Sequence, residues 1–356
     1  MSREKQAKDE YFAASNSHKG FHSYFDDCFD RPGIGRLYLV KGGPGTGKSR
    51  FFSDVGEAGE VRGYRTEYIL CSSDPKSFDG VILEKEGRAF ALCDATSPHA
   101  KDAKEPGLRE EIVNLGQFWN ASILEGEKEE LRVLGKQKSN AYLGAYRYLS
   151  AAGEAYCESL SLVDRFVRRE EITTAAEKFA REIPLGKGYA KRPAILSAIG
   201  MQGCVRLESF FALAEKRYLV EDCHNSAAFF LAEIARIALE KNQPIRVSFD
   251  PLLPERIDGI LFEDEGIALQ VGKESDYPAK RIRMRRFVDV PGLRPLRKKI
   301  NYAEQMKRAL LWGAVERLAE VREAHFAIEE IYMSAMDFGA KEDFTKAFIK
   351  QVFGEA

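Results

Sequence analysis

The hydrophobic and polar positions of the chain follow two patterns that alternate along its length. Short apolar runs bounded by glycine, proline or charged residues, such as Leu37–Val40 and Tyr218–Val220, are typical of buried strands. Two longer stretches, 125–182 and 301–353, have apolar positions at helical spacing, and we expect amphipathic helices that pack on a core. Strands that alternate with helices predict an α/β fold, with a helical tail after each α/β core.

A glycine-rich loop follows the first of these strands. The segment "GGPGTGKS", Gly42–Ser49, fits the pattern GxxxxGK[ST], which is the Walker A motif or P-loop of nucleotide-binding proteins. A strand precedes it, and the residues after it, "RFFSDVGEAGEV", can begin a helix, which is the context that the motif requires. We therefore predict nucleotide binding here. The predicted phosphate-binding residues are Gly43, Pro44, Gly45, Thr46, Gly47, Lys48, Ser49 and Arg50.

The residue types of this loop suit the chemistry of a nucleoside triphosphate. Glycines let the backbone turn its N–H groups towards phosphate oxygens, and a helix N-terminus reinforces the attraction. Lys48 is expected to reach the β- and γ-phosphates and to act in catalysis, and the Ser49 hydroxyl is expected to bind Mg²⁺. The loop thus predicts ATP and Mg²⁺ as cofactors.

The second protein ligand of Mg²⁺ should lie at the end of a neighbouring strand. The apolar run in "RAFALCDAT" ends at Asp94, which we predict to be the Walker B residue, to bind Mg²⁺ together with Ser49, and to act in catalysis. The alternative is an aspartate that only terminates a strand. Asp79 precedes a strand and Asp74 resembles a turn residue, so both are weaker candidates.

Three polar residues follow Asp94, beyond the carboxyl end of its strand, where ligands bind in open α/β sheets. Thr96, Ser97 and His99 could sense the γ-phosphate or position water, and we predict His99 to be catalytic. The alternative for His99 is a structural loop histidine. The other groups that could activate water are Glu110 and Glu111.

The chain repeats its own plan. Aligning Tyr38 with Tyr218 matches "RLYLV" with "KRYLV", "DGVILEKEGRAFAL" with "DGILFEDEGIALQV", and two copies of "PGLR". The repeated unit is a whole domain, which predicts a tandem duplication joined by a connector at Ile183–Pro193. We expect tandem P-loop NTPase domains of three-layer α/β/α type with mostly parallel sheets. Residues 1–190 would have the intact Walker A motif and a helical tail, and 191–356 would be a degenerate copy without that motif.

The second copy lacks the chemistry of the loop. In an ungapped alignment Lys48 faces Ala228, Ser49 faces Phe229, and the loop glycines face residues with side chains. Asp94 has no acidic counterpart. Without the ammonium group, the hydroxyl and the backbone freedom of glycine, a phosphate could not be held in the same way. We therefore expect one nucleotide site per chain and an inactive second copy.

A basic segment distinguishes the second copy. From residue 278 to 299, "PAKRIRMRRFVDVPGLRPLRKK", nine lysines and arginines accompany a single acid, Asp289. Three interpretations stay open: a solvated charged surface, arginines that reach the nucleotide of the first copy, and a site for an anionic ligand, phosphorylated or nucleic acid, at Lys280–Lys299. Phe287 is the only aromatic residue of the segment, so nucleic acid is unsupported.

Composition narrows the class of protein and its partners. The 356 residues include 54 Lys plus Arg and 55 Asp plus Glu, so the net charge gives no reason to expect nucleic acid or an anionic membrane as the main partner. Six scattered cysteines without a CxxC pair are typical of free thiols in a reducing cytosol. We expect neither a membrane span nor an N-terminal leader. A cytoplasmic protein is expected, and a protein partner or a dimer stays open.

Three segments together resemble a known family. "KGGPGTGKS", "SSDPKSFDGVI" and "DATSPHAKDAKEPGLREEIVNLGQFW", followed by a weaker repeat, are similar to an uncharacterised family of bacterial P-loop ATPase-like proteins found mainly in Firmicutes. The resemblance covers nearly the whole chain and implies ATP binding but no particular substrate. The family tends to have glycine where this chain has Ala95, and some members keep a P-loop in both halves. The residues that match the family pattern are Lys48, Ser49, Asp94, Thr96, Pro98 and His99.

These features predict three functions. The first is a Mg²⁺-dependent ATPase or nucleotide switch with one active and one inactive domain. The second is a P-loop small-molecule kinase whose basic segment forms a lid over the acceptor. The third is a module in which nucleotide occupancy controls binding to a protein partner. The chain has no LSGGQ-like signature of ABC ATPases and no NKxD motif of GTPases. Ala95 stands where AAA+ proteins have a water-activating glutamate, so intrinsic turnover should be slow.

Overall fold

The computed structural model describes residues 8–186, 188 and 190–354. Within these residues the chain forms sixteen strands: β1 (Asp9–Phe12), β2 (Ala14–Ser17), β3 (Gly20–Ser23), β4 (Ile34–Lys41), β5 (Arg65–Leu70), β6 (Phe78–Lys85), β7 (Arg88–Asp94), β8 (Glu110–Asn114), β9 (Lys191–Pro193), β10 (Ser197–Gly200), β11 (Gly203–Arg206), β12 (Lys216–Glu221), β13 (Ile245–Phe249), β14 (Ile257–Phe262), β15 (Ile267–Val271) and β16 (Lys280–Arg283).

The same residues form nine α-helices: α1 (Phe25–Phe29), α2 (Lys48–Val61), α3 (Ala121–Gly126), α4 (Lys128–Val163), α5 (Arg169–Ala180), α6 (Ser209–Leu213), α7 (Ser226–Glu240), α8 (Arg297–Ser334) and α9 (Phe338–Phe353). Short 3₁₀ helices lie at Leu115–Phe118, Asp164–Phe166, Met284–Phe287 and Arg294–Leu296. In this described part of the chain, no helix combines the length and the apolar character needed to cross a membrane.

Two six-stranded mixed sheets share one strand order. The second sheet runs β9-β13-β14-β15-β12-β16, and five strands of the first run β5-β6-β7-β4-β8 in the matching positions. In each sheet the strand before the loop, β4 or β12, has parallel neighbours on both sides, and the next two pairs are antiparallel. The predicted α/β class is confirmed, and the equal strand order is consistent with a duplicated fold.

A tight turn explains the antiparallel part of the first sheet. Only Glu86 and Gly87 lie between β6 and β7. Their φ angles are 53° and 75°, and positive φ at both positions makes a two-residue hairpin turn whose twist matches that of antiparallel strands. From this turn β7 runs parallel to β4 and brings Asp94 beside Val40. The end of β7 therefore lies next to the glycine-rich loop.

The chain divides into two compact units that differ from the expected domains 1–190 and 191–356. In the second unit α5 packs on α7, and in the first unit α9 packs on α2, so each helical tail packs on the core of the other half. The sequence does not reveal this exchange, because an amphipathic stripe does not identify the core that it covers. The first unit contains Phe25–Ala145, Gly200–Gly203 and the residues from Glu316 onward; the second contains the described residues up to Tyr24, Tyr146–Ile199 and Cys204–Val315.

Aromatic side chains of α9 complete the core of the first unit. The ring of Phe348 lies 5.0 Å from that of Phe51 on α2 and 4.9 Å from that of Tyr38 on β4, measured between centroids. In the second unit α5 completes the core in the same way, since Ile172 is buried in one hydrophobic cluster with Phe230 of α7. Because α2 begins at the glycine-rich loop, this packing also brings the C-terminal helix to the loop.

Candidate functional site

The glycine-rich loop of the first unit lies between β4 and α2. Gly45 has a φ of 72°, and Gly47, which caps α2, has a φ of 76°. Residues with a side chain rarely adopt this left-handed region. The loop therefore turns sharply over the start of a 14-residue helix, where free backbone N–H groups and the helix dipole favour an anion.

Lys48 begins α2 and folds back over the loop. Its ammonium group donates to the carbonyl oxygens of Gly42 and Gly43 and lies 3.6 Å from a carboxylate oxygen of Asp94. The side chains of Lys48 and Asp94 are mostly buried, with 13% and 14% of their surface exposed. An ammonium group has three donors, so one remains for a further acceptor such as a phosphate oxygen.

Asp94 ends β7, directly beside the strand that leads into the loop. Its carboxylate accepts hydrogen bonds from the backbone N–H of Thr96, at 2.8 Å, and from the Thr96 hydroxyl. The same hydroxyl lies 3.2 Å from the carbonyl oxygen of Gly42. Burial raises the pKa of Asp94, while the positive charge of Lys48 acts in the opposite direction. Thr96 and Lys48 thus hold this carboxylate at the mouth of the loop, where the sequence predicts a ligand of Mg²⁺.

The other predicted loop residues have separate contacts. The Thr46 hydroxyl donates to a loop carbonyl at 2.9 Å and is buried, whereas Pro44 is half-buried. The Ser49 hydroxyl accepts a hydrogen bond from the N–H of Phe78 at 3.0 Å, which leaves a second lone pair for a metal ion. Arg50 is exposed and forms an ion pair with an aspartate one turn along α2 at 2.8 Å. The charge of Arg50 is thereby engaged outside the loop.

His99 is buried beside Asp79. Its Nε2 lies 3.4 Å from a carboxylate oxygen of Asp79, and its ring stacks on Phe25 with 3.8 Å between centroids. The negative charge of Asp79 contributes to the raised pKa of Asp94, so this pair lies within electrostatic reach of the loop. Asp79, a weaker candidate on sequence grounds, therefore joins His99 at the edge of the site. The recurrence of its "DG" dipeptide in both halves was the signal that could have marked it.

Glu110 and Glu111 do not lie at the loop, which corrects the expectation that one of them activates water. They pair in register with Leu37 and Tyr38, in the middle of β4. The buried Glu110 carboxylate accepts hydrogen bonds from two backbone N–H groups, both at 2.6 Å. Glu111 forms an ion pair with Arg36. Both carboxylates stabilise the edge of the sheet, because β8 is the outermost strand beside β4.

Two basic side chains that the sequence does not single out lie near Lys48. The ammonium group of Lys138, on α4, is 3.0 Å from Nδ1 of His325, on α8. Burial lowers the pKa of both groups, that of His325 to about 4, and the charge of Lys48 acts in the same direction on each. A neutral imidazole can accept a hydrogen bond from Lys138. The sequence does not predict this pair, because the spacing of apolar residues along α4 does not identify the distant helix that packs against it.

The C-terminal helices pack directly on the loop. A side chain at Gly45 would place its Cβ 2.7 Å from the backbone carbonyl oxygen of Glu329 and 3.0 Å from the side chain of Met333, both on α8. At Gly47 the nearest atom would be in Lys341 of α9, at 3.5 Å. Close approach as well as backbone conformation therefore requires glycine at position 45. The ends of α8 and α9 belong to this site within the first unit.

The corresponding loop of the second unit is two residues shorter. Six residues separate β4 from α2, and four separate β12 from α7. Both helices are capped by a residue in the left-handed region, with a φ of 76° at Gly47 and 69° at Asn225. Matching these caps shifts the ungapped alignment by two positions, so that Ser226 and not Ala228 lies opposite Lys48. The ungapped alignment is wrong here. The apolar patterns of the flanking strand and helix continue up to the loop in both halves, so they do not reveal that the second loop is shorter.

The shorter loop uses a carboxylate of its own. Asp222 accepts hydrogen bonds from the backbone N–H groups of Asn225 and Ala227, both at 2.9 Å. Groups at this point of a helix are those that bind phosphate in a P-loop. At the end of the neighbouring strand, Val271 takes the register position of Asp94. The second loop thus offers an internal anion and neither the lysine nor the strand-end carboxylate of the first.

Comparisons with protein-family models, curated proteins and solved structures found no match to this chain. The features of this chain that bear on its function are therefore the geometry of the loop, Lys48 and Asp94, and the side chains around them.

Proposed function

We propose that the first unit binds ATP with Mg²⁺ at residues 42–49 and acts as a nucleotide switch with slow hydrolysis, while the loop of the second unit binds no nucleotide. One observation carries the proposal: the Lys48 ammonium group lies 3.6 Å from Asp94 at the mouth of a loop with left-handed glycines. Lysine and carboxylate at these positions are the charges that a Mg²⁺–triphosphate complex needs.

Each part of a Mg²⁺–nucleotide complex would meet a suitable group. The loop N–H groups and Lys48 suit phosphate oxygens. The Ser49 hydroxyl and the Asp94 carboxylate are hard oxygen donors of the type that Mg²⁺ prefers, and they would hold the ion, which neutralises phosphate charge. Burial raises the pKa of Asp94, and a nearby cation favours the ionised carboxylate. The residues present therefore fit the cofactors that the sequence predicts.

The surroundings of His99 favour a switch over a fast hydrolase. Its imidazole is the group that we predict to activate water. The side chain is buried, stacks on Phe25 and lies against Asp79. A general base must come within hydrogen-bond distance of the water that it activates, and these contacts restrict such an approach. Slow hydrolysis leaves the triphosphate state long-lived, as a switch requires.

Lys138 adds a second positive charge on the side of α4. It is half-buried, and the charge of Lys48 contributes to its lowered pKa, so both ammonium groups lie within mutual electrostatic reach. A triphosphate bound at Lys48 would offset this repulsion. A diphosphate carries less negative charge and would offset the repulsion less. We therefore infer that α4 and α8, which hold Lys138 and His325, respond to the γ-phosphate.

Calorimetry and phosphate release test the proposal in the full chain. Lys48→Ala should weaken Mg²⁺–ATP binding by about a hundredfold or more, because it removes charge-assisted hydrogen bonds that contribute roughly 1.5–3 kcal/mol each. Asp94→Asn should remove the dependence of binding on Mg²⁺ and most of the phosphate release. The matched control is Ser226→Ala, at the equivalent position of the second loop, which should change neither quantity.

A folded Lys48→Ala variant that binds Mg²⁺–ATP as tightly as the native chain would refute the site. The same titration with GTP tests the base, since only an adenine preference agrees with the proposed ligand. Phosphate release at several turnovers per second would contradict the switch and support a true hydrolase.

A further inference from the structure

The basic segment of the second unit divides into paired and unpaired arginines. Arg281 and Arg283, on β16 and at its end, form ion pairs with Glu221 at 2.5 and 3.4 Å. Their charge is therefore partly neutralised at the sheet. Four further arginines have no ion pair or side-chain hydrogen bond within the described residues. One of them, Arg286, has its guanidinium group 4.6 Å from the centroid of the Phe287 ring. The other three are Arg285, Arg294 and Arg297.

These three arginines line one cavity of about 440 Å³. The first lies in the 3₁₀ helix Met284–Phe287, the second in the next 3₁₀ helix, and the third begins α8. Val290, Leu293 and Ile300 give the cavity an apolar wall, and Leu293 and Ile300 are buried. His224, from the shortened loop between β12 and α7, borders the same cavity. Three exposed arginines and an apolar wall thus line one cavity beside the shorter loop between β12 and α7.

No acidic side chain among the described lining residues compensates this charge. The two aspartates nearest in sequence accept hydrogen bonds from backbone N–H groups and are not among the lining residues. Asp222 accepts the two amide hydrogen bonds at the start of α7, and Asp289 accepts a hydrogen bond from the N–H of Gly292 at 3.1 Å. Guanidinium groups bind phosphate oxygens in pairs of parallel hydrogen bonds, which makes them the preferred side chains for phosphate recognition.

We propose that this cavity binds a small molecule that carries a diphosphate group, without a divalent metal ion. A diphosphate spreads its charge over two groups and can engage three guanidinium forks, whereas a single phosphate leaves one fork uncompensated. Protein sites for Mg²⁺ usually supply one or two carboxylates, and the described lining has none. Val290, Leu293 and Ile300 would accept the carbon part of the ligand. The volume lies within the range of about 300–1,000 Å³ typical of small-molecule sites.

The same residues argue against a nucleic-acid surface. Single-stranded nucleic acid needs exposed aromatic rings on which bases stack, and Phe287 is 5% exposed. A long phosphate backbone also needs a continuous strip of free cations, but Glu221 occupies Arg281 and Arg283. The cavity is thus a concave site for a compact anion. This proposal is independent of nucleotide binding at residues 42–49.

Calorimetric titration of inorganic pyrophosphate in the presence of EDTA tests the proposal in the full chain. We expect one pyrophosphate per chain, bound more tightly than inorganic phosphate. The double variant Arg285→Gln/Arg294→Gln should weaken binding by about tenfold or more. The control Arg281→Gln/Arg286→Gln removes the same charge from the same segment outside the cavity, and it should change affinity by about twofold or less at 150 mM salt, because exposed distant charges are screened. Lys48→Ala should leave binding unchanged.

Five results would overturn the proposal. Equal loss in the two double variants would show diffuse attraction to a basic surface. Loss in Lys48→Ala would assign the pyrophosphate to the glycine-rich loop. A requirement for Mg²⁺ would exclude a metal-free site. Displacement of pyrophosphate by a single-stranded oligonucleotide, with both double variants equally affected, would identify a nucleic-acid surface. Failure of pyrophosphate to bind the native chain would also refute the site. Circular dichroism would verify that each variant is folded.

Discussion

The two loops of the chain start from the same strand order and the same left-handed helix cap, but they differ in the charge at the start of the helix. In the first unit the Lys48 ammonium group lies over the loop, with Asp94 3.6 Å away. In the second unit the Asp222 carboxylate binds two N–H groups at the start of α7. A cation thus stands at one helix N-terminus and an anion at the other. The difference teaches that the fold provides two such helix ends, and that loop length and one charged side chain set the charge that each end presents.

A pair of aspartates at matching strand positions extends the comparison. Asp79 and Asp258 are each the second residue of a matching strand, β6 or β14. Asp79 has the His99 imidazole 3.4 Å away, whereas burial raises the pKa of Asp258 to about 6 despite a hydrogen bond from Ser248. The first unit thus keeps a partner for its aspartate, and the second leaves the negative charge of its aspartate poorly compensated.

Asp258→Asn should produce the largest change in stability and should stabilise the protein. The unfolded carboxyl has a pKa near 3.8 and the folded one a pKa of about 6, so the free energy of unfolding falls as pH rises from about 4 to 6. The cost of the folded carboxylate is at most about 3 kcal/mol above pH 6. The variant should therefore gain up to that amount at pH 8 and little at pH 4, as measured by urea unfolding across this range.

The matched variant in the first unit is Asp79→Asn. It removes the negative partner of His99 and should lower the free energy of unfolding by about 1–2 kcal/mol. A stabilising effect at both positions would remove the distinction between the two aspartates.

Gly45→Ala should cost about 2 kcal/mol or more. Its left-handed φ of 72° disfavours a side chain, and the new Cβ would lie 2.7 Å from the carbonyl oxygen of Glu329, so backbone strain and overpacking add. Gly47→Ala is the control, because its φ is similar but its nearest contact would be an ordinary 3.5 Å. It should cost about 1 kcal/mol, from backbone strain alone. Equal unfolding free energies for the two variants would contradict the packing of α8 on the loop.

The local part of this site could be predicted from the sequence, because its signals lie within short segments. The apolar run before Gly42, the glycine spacing and the strand that ends at Asp94 each determine a local structure, and β7 does lie beside β4. The equal strand order of the two sheets likewise agrees with the repeat found by aligning Tyr38 with Tyr218.

The tertiary part of the site could not be predicted in this way. Lys138 and His325 meet through two long helices whose apolar stripes do not specify a partner. For the same reason the apolar stripes of the two tails do not predict which core each tail covers, and the predicted boundary at residue 190 does not coincide with the two units. The two-residue shortening of the loop before Asn225 could not be detected from the sequence, because the apolar patterns of the strand before it and of the helix after it are both intact. Burial and pairing of Glu110 and Glu111 likewise depend on sheet register, which a glutamate pair in sequence does not encode.

Asp222→Ala should have a small effect, similar in size to that of Gly47→Ala. The carboxylate satisfies two N–H groups at a helix N-terminus, and loss of such a cap costs about 1 kcal/mol of stability. The variant should gain no binding of Mg²⁺–ATP, because Lys48 and Asp94 have no counterparts at Ser226 and Val271. A new nucleotide site in this variant would show that Asp222 alone had blocked the second loop.

Hydrogen exchange measured by mass spectrometry tests the central claim most directly. The full chain would be compared with and without a non-hydrolysable ATP analogue, each in Mg²⁺ and in EDTA. The account predicts Mg²⁺-dependent slowing of exchange in peptides that cover Gly42–Phe52 and no Mg²⁺-dependent change in peptides that cover residues 222–230. Mg²⁺-dependent slowing at residues 222–230, or its absence at Gly42–Phe52 with bound analogue, would contradict the assignment of one binding loop and one closed loop.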